Sequence, residues 1–236
     1  MALPKIATPE FETVIPSTKE TITFRPFLVK EEKILYMALE GGEQNDIYSA
    51  IKKILENCIL SDYNINKLSA FDVEYLFLQL RGKSVGEVIT LKLKHPQEGS
   101  DCDHAEEVEI DIDSIKMAED PKHNKVIQID ENLGIQFKYP SMQDAIKMGN
   151  EKSTLKATFN VIANCVDTVF DRDQVYDDFT KEEITEFIEN LSKPQFERAS
   201  DFFKTMPKLR HELKWTCSKC EKKEKITLEG LQSFFG

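Results

Sequence analysis

Two periodicities take turns along this chain. Residues 21–26, Thr21-Ile22-Thr23-Phe24-Arg25-Pro26, alternate polar and apolar side chains and predict a strand. It pairs with residues 11–15 across Pro16-Ser17-Thr18. A helix follows over 29–39, with Leu28, Leu35 and Leu39 on one face and Gly41-Gly42 as its stop. The next helix is clearer, since Ile47, Ala50, Ile51, Ile54, Leu55, Cys58 and Ile59 recur at helical spacing. Ser69 with Asp72 resembles a capping box opening a third helix over 71–80. That helix is apolar on most sides and is expected to be central.

The period then changes to two. Residues 88–93 and 108–112 read as strands, and 126–129 with 135–139 read as a hairpin around Asn132-Leu133-Gly134. After Pro140 the helical spacing returns in Leu155, Phe159, Ile162, Val166 and Val169, read as one long amphipathic stripe. Thr180 with Glu183 caps a helix through Ile184, Phe187, Ile188 and Leu191. Pro194 suits the first turn of another, carrying Phe196, Ala199, Phe202, Phe203 and Met206. Strands at 213–216 and 225–228 and a short tail at 231–235 close the chain. This order predicts an α+β protein. A helical core carries small antiparallel hairpins and a zinc-ribbon-like unit made from the middle and the C-terminus. The expectation is a single compact unit over 1–236. Its subregions are an N-terminal hairpin and helices (1–85), β hairpins (86–140), a helical part (141–206) and a C-terminal half-ribbon (207–236).

Composition narrows the function. The chain has 236 residues, a formal charge of −11, 15 Phe and five Cys. It can bury a substantial core and is not compositionally disordered. No apolar run reaches the ~20 residues of a membrane span, and the first residues lack a signal peptide's apolar stretch. A reducing compartment is therefore expected, where five cysteines are not a disulfide framework. The charge is uneven: residues 101–120 hold nine acids and 171–189 hold eight, whereas 204–225 hold eight Lys/Arg against three acids. The acidic stretches read as solvated surface. Asp171-Arg172-Asp173 lacks the Gly and terminal Glu of a calcium loop. No P-loop, dinucleotide fingerprint, nucleophile elbow or His-Glu-x-x-His is present in the sequence.

One constellation carries chemistry. In Cys217-Ser218-Lys219-Cys220 two residues separate the sulfurs, so a tight turn aims both at one tetrahedral metal. The other half is His95 and Cys102, because Leu91-Lys92-Leu93-Lys94-His95 and Leu213-Lys214-Trp215-Thr216-Cys217 both end a strand on a ligand. Each half then reads strand, ligand, turn, ligand, strand, and two such hairpins make a ribbon around Zn²⁺. His104 competes as a ligand, with His95 favoured by register. A thioredoxin-like pair using Cys217 should instead open a helix after a strand. Cys58 and Cys165 lie on apolar helical faces and read as core. A zinc ribbon with a basic rim also admits a nucleic-acid-binding reading.

The opening segment, residues 3–12, followed by Phe24-Arg25-Pro26-Phe27-Leu28-Val29-Lys30-Glu31-Glu32-Lys33-Ile34-Leu35, resembles the baseplate hub subunit (hub assembly) family of T4-like contractile-tailed phages. The likeness continues through residues 71–81 and into 226–232. It implies a non-enzymatic role in building the tail baseplate hub, with other hub proteins as partners, in the host cytoplasm during assembly or in the virion tail. The resemblance also implies that relatives often carry paired cysteines in both half-ribbons. His95 and the long loop to Cys102 depart from that pattern. Candidate partner-facing residues are Arg25 and the basic Lys208, Arg210 and Lys214. The Pro-spaced opening residues 1–10 are expected to form an extended arm that orders on a hub protein.

Overall fold

The structure, a computed structural model, describes residues 6–95, 102–144 and 154–234. The chain divides into two compact units, one of residues 1–65, 71–118 and 208–236, the other of 66–70 and 119–207. The sequence reads as a single unit because the second is inserted between strands of the first, and no composition shift or linker marks its ends.

The first unit opens with a hairpin of β1 (Phe11–Val14) and β2 (Thr21–Phe24), paired antiparallel with Phe11 opposite Phe24. Ile22 and Phe24 point inward. Helix α1 (Val29–Gly41) ends at Gly42, whose φ of 71° is a left-handed cap. Its expected apolar stripe is not what it buries: its one fully buried side chain is Glu31. That carboxylate accepts the Leu28 N–H and pairs with Arg25, both at 2.9 Å. Helix α2 (Gln44–Cys58) buries Ala50, Ile51, Ile54, Leu55 and Cys58. Helix α3 (Ala70–Val85) is the expected central helix, with Phe71, Val73, Leu76, Phe77, Leu78 and Leu80 buried. The Asp72 carboxylate reaches back to the first hairpin, accepting the Ser17 N–H at 2.9 Å and its hydroxyl at 2.6 Å.

Strands β3 (Val88–Lys94) and β4 (Ala105–Asp111) form a two-stranded sheet. Ile89, Leu91 and Leu93 face inward at the strand period of two. Strand β5 (Lys116–Ala118) joins a second sheet with β10 (Lys208–Thr216) and β11 (Lys223–Glu229), in the order β11-β10-β5, all antiparallel. Both C-terminal strands outrun the predicted 213–216 and 225–228. The chain then finishes in a 3-10 turn, Leu231–Phe234.

The second unit holds a four-stranded antiparallel sheet of β6 (Val126–Gln128), β7 (Gly134–Phe137), β8 (Val166–Phe170) and β9 (Val175–Tyr176), in that order. Helices α4 (Thr154–Cys165), α5 (Lys181–Glu189) and α6 (Lys193–Thr205) complete it. Ile135, Phe137, Ile162, Val166, Ile184, Ile188, Ala199 and Phe202 form its core. The Thr180–Glu183 capping box and Pro194 in the first turn of α6 are both present. One expectation fails: the stripe from Leu155 to Val169 is not a single helix. It changes to strand at Val166, where β-branched Val166, Thr168 and Val169 favour the pleated conformation and pair with β7.

Candidate metal centre

Each half of the centre is delivered by a hairpin of the first unit. Strand β3 ends at Lys94 and hands on His95, while Cys102 precedes β4. The residues between them, 96–101, lie outside the described part. Strand β10 ends at Thr216 and hands on Cys217, and the return to β11 carries Cys220. That turn is closed by the Cys217 N–H donating to the Lys222 carbonyl at 3.0 Å and the Glu221 N–H to the Cys217 carbonyl at 2.9 Å. Glu221 takes a left-handed φ of 58° there, a conformation that tightens the turn at a cost of ~1–2 kcal/mol for a side chain other than Gly.

The four ligand atoms of His95, Cys102, Cys217 and Cys220 lie within 4.8 Å of one another. The Cys102 and Cys217 sulfurs are 3.9 Å apart, and the Cys220 sulfur is 3.3 Å from His95 Nε2. A tetrahedral Zn²⁺ with bonds of about 2.3 Å to sulfur and 2.0–2.1 Å to nitrogen has edges of roughly 3.8 and 3.6 Å. Donor chemistry and spacing therefore both fit one zinc ion, with all four positions filled by protein. His104 stays outside: its Nε2 is 3.2 Å from Ser218 Oγ and 3.5 Å from Glu106.

Further contacts join the two turns. The Ser218 N–H donates to Glu106 at 2.7 Å, and Lys219 pairs with Asp103 at 3.0 Å. Electrostatics favour the thiolate at Cys217. Burial raises the Cys217 pKa, but the N–H of Cys220, the His95 ring and the N–H of Lys219 outweigh it and bring the thiol down to about 6. Cys220 moves up. The Lys222 N–H favours its thiolate, but burial and the neighbouring Cys217 and Cys102 thiols prevail. A divalent metal held between these side chains would supply the positive charge that stabilises neighbouring thiolates. Cys58 and Cys165 are core residues instead, buried and pushed up by that burial to about 11 and about 12.

A family profile described as T4 bacteriophage base plate protein matches residues 8–236. The chain belongs to that family. No curated protein and no solved structure matches it. Among the described residues, no helix of this base plate protein is long and apolar enough to cross a membrane.

The other residues singled out in the base plate protein's sequence fall into two groups. Arg25 is held by its own unit. Its guanidinium donates to Glu31 and to the Pro26 and Asn57 carbonyls, with its side chain 13% exposed. Lys208, Arg210 and Lys214 do line one face, the outward side of β10, where Arg210 has Lys116 on one flank and Lys214 lies opposite Lys225. Ion pairs of Lys208 with Glu229 and of Lys225 with Glu212 neutralise part of that face. Sequence reasoning missed Glu224, whose carboxylate is 3.0 Å from His95 Nδ1. A signal was available: Glu224, Ile226 and Leu228 share one face of β11, and Glu224 is the charged member of an otherwise apolar series. Asp171 accepts the Asp173 and Gln174 N–H groups and the Tyr176 hydroxyl, a turn arrangement. Of the opening arm, residues 1–5 lie outside the described part, and Ile6 is exposed.

Proposed function

We propose that this protein is a subunit or assembly factor of the tail baseplate hub, working through protein–protein contacts without catalysis, with a structural zinc ribbon closing its first unit. The family membership over residues 8–236 carries the reading. The ribbon assignment is supported by four converging donors from two hairpins, which leave no open coordination position for a substrate. The cationic outer face of β10, through Lys208, Arg210 and Lys214, is the proposed contact for other hub proteins, with electrostatics steering the encounter. The protein acts in the host cytoplasm during assembly and in the tail baseplate thereafter.

The test is complementation of phage lacking this gene. Wild type restores complete baseplates, whereas the triple variant Lys208→Glu, Arg210→Glu, Lys214→Glu leaves unjoined hub intermediates on sucrose gradients. Normal baseplates from the triple variant would exclude this face as the contact. Metal analysis of protein purified without chelators should give one zinc per chain.

A further inference from the structure

We propose that Glu224 is the positioning residue that makes His95 a metal ligand, an inference that rests on the zinc reading above. The His95 side chain is 1% exposed, and its two ring nitrogens meet different groups. Nδ1 is 3.0 Å from Glu224 Oε1, and Nε2 is 3.3 Å from the Cys220 sulfur, inside the cluster. A carboxylate can only accept, so Nδ1 carries the hydrogen and Nε2 keeps its lone pair for the metal. Glu224 thus selects the tautomer and aims the ring.

Three observations make this more than a chance contact. Glu224 lies directly across from Trp215 in the β10–β11 register, and the Trp215 ring lies 5.1 Å from the His95 ring, tilted by 40°. The carboxylate and the indole therefore restrain the imidazole together. Glu224 also occupies the β11 face that carries Leu228, where an apolar residue suits the pattern, so its presence there needs a polar reason. Its own charge is held by Lys222, 3.5 Å away. The chain of contacts runs Lys222, Glu224, His95, metal position, which is the arrangement by which an outer carboxylate orients a ligand imidazole. A histidine ligand has two nitrogens and two tautomers, and so needs a selector that a cysteine does not.

The experiment compares full-length wild type with Glu224→Ala and Glu224→Gln. Zinc affinity is read by competition with a chromophoric chelator, and the His95 tautomer by long-range ¹H–¹⁵N correlations. Trp215 fluorescence confirms that each variant is folded. The alanine variant is expected to bind zinc roughly 10- to 100-fold more weakly and to lose the Nδ1–H tautomer preference. The glutamine variant, which can still accept from Nδ1–H, should restore the preference and most of the affinity. A folded alanine variant with wild-type affinity and tautomer overturns the role of Glu224 while leaving the zinc ribbon standing. A wild type that takes up no zinc overturns the ribbon, and this inference with it.

Discussion

Glu74 should make the first unit less stable as pH rises through neutrality. It sits on α3, and burial pushes its carboxyl from the ordinary 4.5 up to about 7; the Leu231 N–H opposes this, and the Glu229 carboxylate adds to it. The folded protein therefore holds this proton more tightly than the unfolded chain does. Below about pH 4.5 both states are protonated and Glu74 costs nothing. Between 4.5 and about 7 the folded state binds more protons, so stability falls with rising pH, and above that window the loss is complete. At about 1.4 kcal/mol per pH unit the window corresponds to on the order of 3 kcal/mol. Glu74→Gln keeps the shape and an acceptor for the Leu231 N–H but never ionises. Urea denaturation followed by the fluorescence of Trp215, the chain's one tryptophan, reports the first unit directly. The variant and wild type should agree near pH 5. The variant should be more stable by a few kcal/mol at pH 8, a difference of about that size in the extrapolated free energies. A difference that stays constant from pH 5 to pH 8 would refute the argument, since it would show that Glu74 ionises alike in both states.

Two further substitutions test the packing. The Arg81 Nη1 is buried and has no hydrogen-bond partner among the described residues, so Arg81→Met should keep the aliphatic packing and remove an uncompensated polar group. Its stability should be unchanged or up by about 1 kcal/mol, and a larger loss in urea denaturation would show that the guanidinium is favourably placed. Gly134 faces Phe170 across β7 and β8, and a Cβ there would lie 2.2 Å from the ring's Cζ. Gly134→Ala should cost about 1–3 kcal/mol by displacing that ring, seen as a lower thermal midpoint in circular dichroism. An unchanged midpoint would mean that the ring is free to move aside.

Much of this was legible in the amino-acid pattern, for identifiable reasons. Spacing alone disclosed α2 and α3, because their apolar faces repeat over several turns. Two local signals, Thr180 with Glu183 and Pro194, marked helix starts because caps act over a few residues. The four donors could be paired because strand, ligand and turn recur in the same order at both ends of a long separation. What stayed hidden depends on contacts distant in sequence. Val166 and Val169 fit a helical stripe as well as a strand until β7 is present to pair with them. Arg25 looks like a free surface cation until Glu31, buried under α1, takes its charge. Glu224 seems one more charge on a basic strand until His95 arrives from the other hairpin.

The pairing of Ala118 with Lys208 has a consequence for how the molecule comes together. Cross-strand partners lie about 5 Å apart, so this pairing closes a loop of residues 119–207. Were that stretch unfolded, bringing its ends together would cost roughly 4 kcal/mol of loop entropy beyond a fixed constant. The β5–β10 pairing offsets that loss and carries β10, with Cys217 at its end, back into the first unit.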